Sequence, residues 1–185
     1  NTMGVSVSAA FAVVNRIDDF AYTPEQNIAH AMTALMAQNK GAGKIDRMKE
    51  GFRSGIILEI IYGILIFIIC FMFARPLMLM FVKDEEVIGH GVTYLHLISV
   101  MYLLPALTNG IQGFFRGIGD LKITLISSFI NMALRVLAAA PLVLIWKMGI
   151  EALPYSYLAG WIGMLVAETP LLLKTYKTWG RKAGQ

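Results

Sequence analysis

The sequence predicts an all-α, polytopic transmembrane helical bundle of about five spans. Three observations carry this expectation: an excess of apolar residues, their grouping into five runs of near-bilayer length, and a one-sided distribution of positive charge. Hydrophobic residues make up 57% of the 185-residue chain and charged residues 15%, with a mean hydropathy of +0.63. Typical soluble domains hold about 45–50% apolar residues (counting Gly) and about 25% charged ones. A soluble domain of this size cannot hide so much apolar surface, whereas lipid solvates it. The same composition excludes a disordered, a collagen-like or a disulfide-stapled chain, because Cys70 is the single cysteine. No Cys/His cluster has metal-ligand spacing, and no segment reads as a signal peptide. Since the chain starts at Asn1, it is expected to be an interval of a longer one.

The first run, residues 4–37, is unusually polar. It contains Pro24 and carries Asn15, Arg16, Asp18, Asp19, Glu25, Gln26, Asn27 and His30. It suits one long helix, broken or bent just before Pro24. Asn15, Asp19, Tyr22, Gln26, His30 and Thr33 recur at steps of three or four and share one face, which cannot look at lipid. The second span, 54–82, is the clearest. Its stretch Ser54–Ala74 makes a helix of roughly 31 Å at ~1.5 Å per residue, and Arg75 and Pro76 stop it. Spans at 91–115, 123–146 and 153–173 follow. Pro105 and Pro141 predict kinks in the third and fourth. Trp146, Trp161 and Trp179 sit near predicted ends, as interfacial aromatic belts require.

Charge supports this layout independently. With five spans, the loops at 38–53 and 116–122 and the tail at 174–185 share one side. They hold Lys40, Lys44, Arg47, Lys49, Arg53, Arg116, Lys122, Lys174, Lys177, Arg181 and Lys182, 11 of the 16 basic residues. The positive-inside rule makes that side, and the C-terminus, cytoplasmic in a plasma (inner) membrane, with residue 1 outside. The basic residues line a membrane surface and form no aromatic-interleaved patch, so a nucleic-acid partner is not expected.

The stretch Gln38–Lys44, QNKGAGK, is not a phosphate loop: the required first glycine is Gln38, and Ile45 replaces the Ser/Thr after the lysine. In context it is more informative. Ala12–Arg53 contains AVVNRIDDF, then AQNKGAGK and a basic loop. Tyr102–Lys122 contains YLLPALTNGIQGFFRGIGDLK, and Ser127–Leu144 places Arg135 mid-run. In their order and spacing these segments resemble the eighth, tenth and eleventh helices of the MATE family (multidrug and toxic-compound extrusion transporters). The resemblance covers nearly the whole chain, as helices eight to twelve of a twelve-helix, two-lobe transporter; the first lobe and the first helix of the second fall outside it.

This resemblance implies a multidrug efflux antiporter that exports small organic, often cationic, compounds in exchange for Na⁺ or H⁺ by alternating access. It implies no cofactor beyond the coupling ion and no enzymatic activity. The expected partners are the lipid bilayer, small organic substrates and the remaining helices of the full-length transporter. Two departures stand out. Some members carry an acidic residue near the position of Pro105, and this chain has none in that helix before Asp120. The usual apolar eighth-helix stretch is here TPEQNIAHA, with Glu25 and His30.

The residues make their own case beside the resemblance. A charge at mid-bilayer costs about 2.5–3.5 kcal/mol on insertion scales, so Asp18, Asp19, Glu25 and His30 should face an interior or a wet cavity. An ion or substrate site, an internal pair of Arg16 with Asp18 or Asp19, and an extramembrane position all remain open. Arg135 lies mid-run with Asn131 one turn earlier, which predicts pairing across the lobe or a cavity-lining role. Asn109, Gln112 and Arg116 form a polar stripe suited to a gate or to plain capping. Glu59 and Glu168 are expected to snorkel to the cytoplasmic surface. Alternative readings are a lipid-linked oligosaccharide flippase of related fold, which needs a more basic cavity, and a non-transporting membrane subunit. A membrane-embedded enzyme lacks a nucleophile–base constellation.

Overall fold

The computed structural model describes residues 4–149 and 151–182. The side chains of Trp179, Arg181 and Lys182, to which the sequence reading assigned interfacial roles, lie outside the described ones. Seven helices follow in order: α1 (Val5–Gly41), α2 (Ile45–Met72), α3 (Ala74–Leu79), α4 (Glu85–Ser99), α5 (Leu103–Gly117), α6 (Leu121–Leu144) and α7 (Ala152–Lys182). The described residues contain no strand. By length and apolarity, α2, α6 and residues 152–178 of α7 can each cross a membrane, and α4 with α5 adds a fourth, broken span.

Pro24 does not break α1, which runs on for 37 residues. Its missing N–H costs one helical hydrogen bond, and dense packing on the inner face compensates. The basic stretch 38–53, expected as a loop, is helical apart from 42–44, because Lys and Arg are good helix formers. The turn is made at Gly43, whose φ of +67° suits glycine. The expected span 54–82 divides at Phe73. A continuous helix would set the Pro76 ring against the carbonyl of Met72, so α2 ends there and Pro76 is accommodated in the first turn of α3.

The expected span at 91–115 is two helices meeting at 49°. Pro105 supplies no N–H for the carbonyl of Met101, which accepts instead from Leu104 N–H at 2.9 Å. The break thus lies one turn before the proline, as a kink there requires. By contrast, α6 continues through Pro141.

The helices α1, α2, α4 and α5 pack into one group, and α6 with α7 forms a long hairpin joined to it through α5. Two apolar clusters fill the first group. One gathers Val14, Ile17, Ala21, Cys70, Met78, Tyr94 and Tyr102 among others. The other gathers Met36, Met48, Ile111, Phe114 and Phe115. Between these clusters the otherwise mostly apolar α1, α2 and α5 carry a few polar residues, among them Glu25, Glu59 and Asn109, and the functional groups lie at that level.

Candidate functional site

A cleft of about 270 Å³ opens where the α6–α7 hairpin meets the first group. Tyr22 and Gln26 reach it from α1, Thr108, Asn109 and Gln112 from α5, Ser128 and Asn131 from α6, and Trp161 and Met164 from α7. None of these lining residues is charged. Five of them, Tyr22, Gln26, Asn109, Gln112 and Asn131, were predicted from sequence, and the fold brings them together from three separate runs.

Hydrogen bonding organises one wall. Gln112 Nε2 donates to Ser128 Oγ at 3.3 Å, and Asn131 Nδ2 donates to Met164 Sδ at 3.5 Å. Two aromatic rings, Tyr22 and Trp161, line the cleft beside it and touch the buried Tyr102 and the half-buried Tyr157, which lie outside the lining. Tyr22 stands edge-on to Tyr102 at 5.6 Å and tilted to Trp161 at 6.4 Å; Trp161 meets Tyr157 at 6.0 Å. The Arg135 guanidinium caps this row, 3.8 Å above the Tyr157 ring. Its partner across the lobe is therefore an aromatic face rather than a carboxylate, and the contact is worth about 0.5–2 kcal/mol. Trp161 belongs to this row rather than to an interfacial belt, because α7 begins at Ala152 and carries the indole inward.

The polar residues of α1 divide between two faces. Asp18 (6% exposed) and Glu25 (0%) join the buried face with Ala10, Val14, Ala21 and Ala29. Tyr102 Oη donates to Asp18 Oδ1. Arg16, Asp19, Gln26 and His30 are exposed on the chain as it stands, and Asn15 is half-buried. Arg16 pairs with neither aspartate: the ion pairs among the described residues are Lys49–Asp46, Arg75–Glu85 and His90–Glu86.

Glu59 and Glu168 do not snorkel. Both are 0% exposed; neither makes a hydrogen bond of good geometry, and Glu168 lies beside Ser127 and Gln112. Glu59 looked near the surface because the apolar run begins at Ser54, yet α2 begins at Ile45 and places it at mid-helix. Glu168 faces inward from α7, within electrostatic reach of Arg116, whose Nε is also buried and unpartnered. An isolated carboxyl inside an apolar run was the signal available for both.

Comparison with known proteins agrees with this architecture. The MatE family model matches residues 1–140. The probable multidrug resistance protein YoeA of Bacillus subtilis is 30% identical over 179 residues, covering 95% of this chain and 37% of its own length. The probable multidrug resistance protein NorM of Thermotoga maritima is 24% identical over 88% of this chain and 34% of its own. The chain thus spans about a third of the length of these curated relatives. A MATE crystal structure in the bent conformation superposes with a TM-score of 0.90 at 15% identity, over 96% of this chain and 40% of that one. Inward-facing and outward-facing structures of a multidrug resistance MATE family transporter superpose at 0.84 and 0.87, at 15% and 16% identity. They cover 89% and 94% of this chain, and 37% and 39% of theirs. With three quarters of its residues matched by the family model, the chain belongs to the MatE family.

Proposed function

We propose that the chain is the larger part of the C-terminal lobe of a multidrug efflux antiporter. The full-length protein would exchange Na⁺ or H⁺ for small organic, often cationic, compounds by alternating access. It would lie in the inner membrane with the C-terminus cytoplasmic. The cleft carries this reading: uncharged polar side chains and the rings of Tyr22 and Trp161 line it together, at the seam between two helix groups. Ring faces attract organic cations without requiring one fixed geometry, and the amides and hydroxyls orient them. A seam between packed groups is also where small relative movements change access. The uncharged lining does not favour a flippase for anionic lipid-linked sugars, which needs cationic side chains there.

The test is efflux of a fluorescent organic cation from proteoliposomes holding the full-length protein, with Na⁺ and proton gradients applied separately. Gradient-driven efflux under at least one supports the proposal. Absence of efflux under both overturns it.

A further inference from the structure

The layer between the two apolar clusters holds a second constellation, behind the cleft. Along the antiparallel α1–α2 pair, Tyr62 Oη donates to the Ala21 carbonyl at 3.0 Å, and the Gly55 position lies against the Met32 side chain. Glu25 and Glu59 fall between these two contacts, one on each helix, at the same level. Along α1 and α5, Gly113 lies against Ala29 and Gly117 against Thr33. The same step one turn earlier sets Asn109 beside Glu25. A side chain at neighbouring Gly110 would lie 3.4 Å from Glu59 Cγ, which closes the triangle.

Three helices therefore converge two carboxyl groups and one amide on a single spot. Both glutamates are 0% exposed, and none of their four carboxyl oxygens makes a hydrogen bond of good geometry. Glu59 and the Asn109 side chain are the groups that act on the Glu25 carboxyl. No Lys, Arg or His forms an ion pair with either among the described residues. The other ionisable groups facing the pair are Tyr22 and Tyr62, with Asp18 two turns up α1. Two unpaired acidic groups facing each other inside the membrane cannot both stay ionised without a cation between them; otherwise they take up protons. Carboxyl and amide oxygens are hard donors suited to a small, hard cation.

We propose that Glu25, Glu59 and Asn109 form a binding site for one small exchangeable cation, Na⁺ or a proton. Its role as the coupling site rests on the transport reading above, whereas the binding site itself rests on this geometry. Asn109 belongs to both the cation site and the cleft, so it can report cation occupancy to a substrate.

The experiment measures cation binding directly, without a gradient. Purified full-length protein is titrated with ²²Na⁺ at fixed pH, and proton uptake is followed in a weakly buffered solution with a pH indicator. Wild type, Glu25→Gln, Glu59→Gln and the surface control Asp46→Asn are compared. The glutamine variants keep side-chain shape, and a thermal melt verifies folding. Saturable ²²Na⁺ binding that falls at least tenfold in both glutamine variants, and not in Asp46→Asn, identifies Na⁺ as the occupant. Proton uptake lost in both, with no ²²Na⁺ binding in wild type, identifies a proton. Binding and uptake unchanged in either glutamine variant overturn the site, even where wild type transports. Absence of both signals in wild type also overturns it. Cation binding without organic-cation efflux overturns the transport reading and leaves the site intact.

Discussion

A close backbone approach between helices beside the cleft is at Gly113, and it makes a quantitative prediction. A Cβ placed there would lie 2.6 Å from the carbonyl oxygen of Ala29 and 3.2 Å from its Cα. Moving from 2.6 Å to the 3.4 Å at which ordinary contact begins needs a separation of α1 and α5 by about 0.8 Å. The obstacle is backbone, so no rotamer change relieves it. Overpacking of this kind costs about 1–3 kcal/mol. The same shift stretches the 3.1 Å hydrogen bond from Thr33 Oγ1 to the Gly113 carbonyl, worth about 0.5–1.5 kcal/mol. Alanine regains up to about 1 kcal/mol of helix propensity. The net expectation for Gly113→Ala is a destabilisation of about 1–3 kcal/mol. Gly89→Ala is the control: nothing lies within 4 Å of that position, so it should be neutral or slightly stabilising. The assay is the thermal midpoint of the full-length protein in detergent, read by loss of the monodisperse peak. Gly113→Ala should melt several degrees below wild type and Gly89→Ala at or above it. A Gly113→Ala midpoint equal to wild type would refute the packing argument.

Three further outcomes are expected. Tyr102→Phe keeps the buried ring but leaves Asp18 without its donor, and should cost about 1–3 kcal/mol in the same melt. A double-mutant cycle of Arg135→Lys with Tyr157→Leu should return a coupling of about 0.5–2 kcal/mol, since the 3.8 Å stacking geometry belongs to the guanidinium. Trp161→Ala should raise the half-saturating concentration of a fluorescent organic cation roughly 2- to 30-fold, measured by equilibrium binding, with little change in expression.

Much of the fold was legible because lipid imposes simple rules. The five runs located the long helices, though the runs at 54–82 and 91–115 each divide into two, and Pro105 announced the break between α4 and α5. Helix ends in the basic segments were less visible: Arg47, Lys49 and Arg53 read as a loop, yet charged residues extend a helix as readily as they leave one. That error propagated to the site. With α2 taken from Ser54, Glu59 appeared five residues inside the surface; with α2 starting at Ile45 it stands at mid-helix. The polar stripe on α1 was found by periodicity, but periodicity cannot say which of two polar faces is buried. Tertiary packing chose the alanine-rich face carrying Asp18 and Glu25, because small residues let α5 and α2 approach closely. Tyr22, Gln26, Asn109, Gln112 and Asn131 were recognisable as polar groups within apolar runs. Their convergence with Trp161 depends on the α6–α7 hairpin docking against α5, which no single run encodes.

On the proposed function, the seam between α1, α5, α6 and α7 is one wall of a transport path. The most direct test is gradient-driven efflux of a fluorescent organic cation by the full-length protein, comparing wild type with the cleft-filling pair Gln112→Leu and Asn131→Leu. Efflux under a Na⁺ or proton gradient in wild type, reduced at least tenfold in the pair at equal thermal stability, is the predicted result. Efflux at the wild-type rate through the filled cleft would contradict the account.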